Sequence, residues 1–234
     1  MNDNNSKTAV FQQRPLTRAV KATLGVVVLA TPLLTFPGST QAVVAITTPA
    51  TSEQVVNSET SSQQWNPWVA MDNDGDFVVV WQSYGQDGPD YGVYGQRYNA
   101  AAVPQGPEFQ VNTYTTGHQD DPSVAMDADG DFVVVWESGG KGAQDGEDDG
   151  IYGQRYNAAG TRQGSEFRVN TYTTQDQSDV QVAMDAAGNF VVVWESYNQD
   201  GDDEDVYARR YNAAGIAQGS EFLVNTYMLI CSKY

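Results

Sequence analysis

Three times the chain runs from a short turn into an unbroken apolar stretch: Phe77-Val-Val-Val-Trp81, Phe132-Val-Val-Val-Trp136 and Phe190-Val-Val-Val-Trp194. A strand with one wet face alternates apolar and polar side chains, so a run that does not alternate predicts burial on both faces. Each run is preceded by a shorter apolar segment, Trp68–Met71, Ser123–Met126 or Val182–Met184. The turns between them end in Gly75, Gly130 and Gly188, placed for the left-handed conformation of a hairpin loop. An acidic, glycine-rich loop follows each run and leads into a third strand, Val93–Tyr98, Ile151–Tyr156 or Val206–Tyr211. A turn such as Asn157-Ala-Ala-Gly160 then introduces a fourth, in which Phe and Val alternate with polar residues: Glu108–Asn112, Glu166–Asn170 and Glu221–Asn225. That alternation predicts an edge strand with one wet face. Nothing after the first 42 residues shows a 3.6-residue period, so no helix is expected there.

The same phrase recurs at steps of 55, 58 and 55 residues, counted between Asn57, Asn112, Asn170 and Asn225. Fixed-period recurrence is the mark of a repeat architecture. The expected fold is all-β, a β-propeller-like array of three four-stranded repeats, with a β-trefoil as the alternative. Blades pack face to face, which covers their central strands on both sides. Rings usually hold four to eight blades, so three units predict an incomplete propeller. The units are expected at about 58–112, 113–170 and 171–225, within a β domain spanning 53–227. Residues 53–57 form a leading copy of the fourth strand. The phrase breaks off after Tyr227, and residues 228–234 are expected to be a non-repeat tail of an interrupted longer protein. Further copies of the repeat in another frame of the downstream DNA would support that.

Residues 1–42 differ from the rest. Lys7, Arg14, Arg18 and Lys21 precede the apolar run Ala22–Phe36, and small residues flank cuts after Ala42 or Ala45. This layout predicts a secretory signal peptide, followed by a linker over 43–52 and a secreted or cell-surface location. The full chain carries a formal charge of −18. Without the leader, 8 basic residues face 29 acidic ones, a charge of −21. Such a surface repels nucleic acid and anionic lipid, so neither is an expected partner. No membrane contact is expected after signal cleavage. Cys231 and His118 are the only residues of their types, which excludes an intrachain disulfide and cysteine- or histidine-cluster metal sites. His118 is expected to be a solvated loop residue.

The phrase Ala-Met-Asp-Ala-Asp-Gly-Asp-Phe-Val-Val-Val-Trp-Glu-Ser, followed by Tyr-Gly-Gln-Arg-Tyr-Asn-Ala-Ala-Gly, resembles the repeats of large secreted bacterial surface proteins. Those repeats often accompany hemolysin-type (RTX) calcium-binding or cadherin-like regions. The resemblance covers about residues 53–227. It implies an extracellular propeller-like array with adhesive use and calcium dependence, and no defined catalytic residues. The Gly-Gly-x-Gly-x-Asp nonapeptides of the calcium-binding regions are absent, so their metal sites do not carry over.

Candidate chemistry lies in the acids. Asp72, Asp74, Asp76 and Asp127, Asp129, Asp131 place hard oxygen ligands at alternate turn positions, as calcium requires. An EF-hand is excluded, because Gly130 is fourth and Ser138 twelfth counting from Asp127. The third unit keeps the turn while losing two acids to Ala187 and Asn189, which favours a turn role first. The loops after the apolar runs cluster further carboxylates: Asp87 and Asp90; Asp145, Asp148 and Asp149; Asp200, Asp202, Asp203 and Asp205. Repulsion among them is a reason to expect a bridging calcium. A glycosidase needs two carboxyls at a defined separation, and an active site should break the repeat symmetry. Because these acids recur in every unit, the expectation is that the chain is not an enzyme. Arg97, Arg155 and Arg210 recur likewise, and are expected to pair with acids or cap the sheet. Tyr84, Tyr91 and Tyr197 could stack on sugar rings, although strand tyrosines are commonly core. The expected function is an adhesion or scaffold module that binds surface proteins or glycans, with a glycan-binding lectin as the alternative and a propeller glycosidase fragment behind both. Unpaired blades would also favour self-association.

Overall fold

A computed structural model of the chain describes residues 53–225, apart from 143, 145, 147 and 202. The expected signal peptide, the linker and the C-terminal tail lie outside these residues. Twelve antiparallel strands form three separate four-stranded sheets. The first holds β1 (Gln64–Met71), β2 (Phe77–Tyr84), β3 (Tyr91–Tyr98) and β4 (Phe109–Gln110). The second holds β5 (His118–Met126), β6 (Phe132–Gly139), β7 (Gly150–Tyr156) and β8 (Phe167–Arg168). The third holds β9 (Gln177–Met184), β10 (Phe190–Tyr197), β11 (Glu204–Tyr211) and β12 (Phe222–Leu223). No helix occurs among the described residues.

Within each sheet the strands lie in chain order, and β5 packs against the first sheet as β9 packs against the second. The first strands of the three units are therefore neighbours at an inner rim, with the two-residue fourth strands outermost. This is an incomplete propeller-like array. The trefoil alternative is corrected, since among the described residues the ladder of each sheet is built from the strands of one unit alone.

The valine runs explain the stacking. Every residue of β6, and every one of β2 up to Ser83, is buried. Val78 and Val80 share a core with Val124, Phe132, Val134 and Trp136 of the second sheet, and Val133 and Val135 share another with Val180, Val192 and Trp194 of the third. The third unit follows a different pattern. Along β10 burial alternates, with Phe190, Val192 and Trp194 buried and Val191 and Val193 half-buried. No sheet follows it among the described residues, so one face stays partly open.

Strands β1, β5 and β9 begin four to five residues earlier than the apolar pattern predicts. Each carries a bulge centred on a non-glycine residue with positive φ: Asn66 (48°), Asp121 (44°) and Asp179 (53°). A bulge re-aims side chains and breaks the period of two. With Pro67 and Pro122 beside it, the segment reads as a connector in sequence.

Val133→Ala should lower the unfolding free energy by about 2 kcal/mol, because it leaves a cavity between two sheets. Val191→Ala, at the same place in the half-open third unit, should cost less than half as much. Parallel urea denaturation curves check both values.

Candidate functional site

The inner rim is built by the bulged first halves of β1, β5 and β9 and the end of each second strand. Gln82, Glu137 and Glu195 follow the three tryptophans at equivalent places. Gln82 reaches into the second unit, where its Oε1 accepts from the Asp121 backbone N–H at 2.9 Å, and Glu137 reaches the third, accepting from the Asp179 N–H at 2.6 Å. Asn66 Nδ2 donates to Gln82 Oε1 at 3.0 Å and to Asp121 Oδ1. These bonds tie the second and third bulges to the preceding sheet.

The second unit adds charge to this frame. Asp120 lies directly across from Glu137 in the β5–β6 ladder, and carboxylate oxygens of Asp120, Asp121 and Glu137 lie within 4.8 Å of one another. Glu137 is only 6% exposed. Burial, then the neighbouring Asp121 and Asp120, pushes its carboxyl up to about 8. Burial likewise raises Asp120 to about 7, against the pull of His118. His118 Nε2 sits 3.1 Å from Asp149 Oδ1, and that hydrogen bond raises the imidazole to about 9. At neutral pH the rim thus presents a protonated acid, an imidazolium and ionisable carboxyls together. An acid that keeps its proton beside other carboxylates is what proton donation to a leaving oxygen requires. The same three oxygen donors also suit a hard cation.

Aromatic rings flank the cluster. Trp65, the counterpart of Asp120 in the first unit, lies 5.8 Å from Tyr91, and Tyr84 lies 5.1 Å from the same ring. Trp65 and Tyr84 are 44% and 42% exposed. Burial, then the charge of Asp120, raises the Tyr91 phenol. An exposed ring next to carboxyls suits a ligand with an apolar face and hydroxyl edges.

The acids singled out by sequence are placed differently. Asp72 and Asp127 each use Oδ1 to accept two backbone N–H groups of their own turns, as Asp185 does in the third unit. Asp76 and Asp131 accept from the Ala100 and Ala158 N–H groups, while Asp74 and Asp129 are exposed at the turn tips. Asp87 accepts from Gln110 and Asn112 side-chain amides, Asp205 from Asn225, and Asp148 from the Gln175 N–H. Asp90 binds the Tyr91 N–H. Asp200 and Asp203 lie in the β10–β11 loop, and Asp145 and Asp202 are outside the described residues. Of all these, Asp90 and Asp149 act on the rim cluster, each raising Asp120. Among the described residues, Asp120, Asp121 and Glu137 are the one acidic group close enough to share an ion. The expectation for His118 is corrected: it opens β5, half-buried and bonded to Asp149. Arg97 and Arg155 bond the carbonyls of Ala158 and Ala213 in the next unit rather than acids.

The repeat itself does not mark this cluster, whose Asp121 and Glu137 stand at places that recur. Its signal is what does not: Asp120 stands opposite Trp65 and Ser178, and His118 opposite Gln63 and Asp176, in the aligned units.

No protein-family model matches the chain, and no curated protein matches it. Solved structures do. An endo-arabinase from Bacteroides thetaiotaomicron aligns at TM-score 0.43 and 16% identity, over 68% of this chain and 60% of that one. The Hadza microbial sialidase Hz136 aligns at 0.49 and 10%, over 69% and 37%. A thermostable family-43 glycoside hydrolase aligns at 0.42 and 13%, over 67% and 58%. The chain thus spans between 37% and 60% of the length of these structures. The expectation that the chain is not an enzyme is corrected at its premise, since the repeat symmetry on which it rested is broken at the second unit, by Asp120 and His118.

Glu137, Asp120 and His118 all hold protons more tightly folded than unfolded. The cost of ionising the carboxyls therefore builds as pH rises, from about 4.5 toward 8 for Glu137. The contribution of His118 is complete below 6.5 and lost as pH rises through about 9. Stability should fall steadily from pH 5 to 9. Glu137→Gln, which keeps an acceptor for the Asp179 N–H, should remove on the order of 2 kcal/mol of that fall. Thermal melts across the pH range read both.

Proposed function

We propose that the chain is an exported, glycan-directed propeller module whose ligand lies along the inner rim, over Trp65 and Tyr91 and against the carboxyls of the second unit. The observation that carries this reading is the group Asp120, Asp121 and Glu137, in which Asp120 breaks the repeat symmetry, together with the exposed Trp65 packed on the half-buried Tyr91. Sugar rings offer an apolar face to an aromatic side chain and hydroxyls to carboxylates, and this surface offers both complements. Glu137, protonated at neutral pH, is the group placed to deliver a proton to a glycosidic oxygen, with Asp120 or Asp121 as its carboxylate partner. Export rests on the basic and apolar leader of residues 1–42.

Adhesion or scaffolding stiffened by calcium is the second reading. It is favoured by the mutual proximity of the same three carboxyls, whose repulsion a divalent cation would relieve.

A panel of arabinan, xylan and sialylated glycans, read for binding and for release of reducing ends, tests the first reading. At least one should bind, with binding at least tenfold weaker in Trp65→Ala. Glu137→Gln should bind yet release nothing. No binding to any member would overturn it. Calcium titration by calorimetry tests the second reading: heat that disappears in Glu137→Gln supports it, and no heat at millimolar calcium removes it.

A further inference from the structure

We propose that two copies of this chain join head to tail into one six-unit ring, and that Val55–Asn57 of each copy supplies the outer strand of the other's third sheet. The proposal goes beyond the glycan reading and does not rest on it.

The chain already contains this interface twice. At the first seam Val124, with Met126, packs on Val78 and Val80, and at the second Val182 and Met184 pack against Val133 and Val135. The residues that would make a third seam are uncovered at opposite ends of the array. On β1, Val69 and Met71 stand where Val124 and Met126 do, and they are 57% and 48% exposed. On the third sheet, Val191 and Val193 are half-buried where Val78, Val80, Val133 and Val135 are fully buried. Val224 is 50% exposed, while its counterparts Val111 and Val169 are at 0%. The difference between 50% and 0% is the presence of a following unit. A groove lined by Met184, Phe190, Val191, Arg210 and Tyr211 marks the same uncovered seat.

A second observation identifies what fills the outer place. Val56–Ser58 already sits against the first unit as the fourth strand of a preceding unit would. Ser58 N–H and Oγ bond Glu108, as the Thr113 N–H and Oγ1 bond Glu166. The Asn57 amide bonds Gln64, as Asn112 bonds Gln119 and Asn170 bonds Gln177. In those later units the asparagine Oδ1 also accepts from the third strand of its own sheet, from the Val93 N–H at 2.8 Å and the Ile151 N–H at 2.9 Å. Asn57 is 4% exposed, and its Oδ1 has no hydrogen-bond partner among the described residues. The missing donor is the N–H of a third strand in a preceding unit. In a head-to-tail pair that is Val206 of the other copy, now bonded to its own Asn225. The incoming Asn57 therefore displaces the two-residue β12, whose Phe222 and Leu223 are 45% and 38% exposed.

Two copies give six units, within the range in which blades close, and two identical heterologous seams satisfy a twofold axis. One contact must differ from the internal seams. Gly160 and Gly215 admit Arg97 and Arg155, whose Nε lies 2.6 Å from where a Cβ would stand. The first unit has Ala102 at that place, so Arg210 must pass beside it.

Sedimentation equilibrium on the full chain should give twice the monomer mass, constant with concentration. Val69→Asp and Val193→Asp should each yield monomer while circular dichroism retains the β signature. If either unfolds, Met71→Lys replaces it. Asn57→Ala should weaken the dimer at least tenfold, and Asn225→Ala should not. A monomeric parent chain, a mass that climbs without plateau, or a dimer that survives one of the two face variants would overturn the ring. A dimer weakened by Asn225→Ala and not by Asn57→Ala would overturn the strand exchange.

Discussion

The structure depends on the need to cover both faces of a valine strand. A single sheet packed on one neighbour satisfies half of that need, and each buried valine contributes about 1.5–3 kcal/mol. The second unit, flanked by sheets on both sides, buries β6 from end to end. The third has a neighbour on one side, and β10 falls back to an alternating pattern with the same sequence, Phe-Val-Val-Val-Trp. One pentapeptide thus gives two burial patterns in one chain. The cause is what covers each face: β2, with one adjoining sheet, is still buried up to Ser83 because Val56 and Ala102 pack against its other side, and β10 has no such cover among the described residues.

The same stacking sets up the chemistry at the inner rim. The second strands of the first two units send the residue after their tryptophan into the bulge of the next unit, so a polar side chain is carried into a buried seam by construction. In the first unit that residue is neutral Gln82, and the contact is an ordinary amide–backbone bond. In the second it is Glu137, opposite Asp120, and burial with like-charge proximity raises both carboxyls. A structural device of the repeat thereby becomes a site with unusual acidity through one Gln/Glu and one Trp/Asp difference between units. The imidazolium of His118, held by Asp149, partly balances the charge.

The arginines show how a repeated residue can serve the array. Arg97 and Arg155 rest on Gly160 and Gly215 of the following unit and bond the carbonyls of its turn. Burial pulls both guanidinium groups down from their usual range. Arg210 has the same place in sequence, yet it is exposed, because no following turn reaches it among the described residues.

The order of strands, the acidic turns and the doubly buried runs of the first two units were legible in the chain, through side-chain period, glycine at positive φ and carboxylates accepting their own turn's N–H groups; the half-open third run was not. The inner halves of the first strands were not legible. A left-handed bulge beside proline, as at Asp121 and Pro122, cancels the period by which strands are recognised. Nor was the rim cluster, since Asp120 and Glu137 are 17 positions apart and meet only across the β5–β6 ladder. Repetition in the sequence determined three equivalent sheets and the surfaces by which they stack. Only the tertiary structure decided which copy of a residue is covered, charged or left facing outward, because burial and acidity belong to a side chain's neighbours, and those come from the adjoining unit.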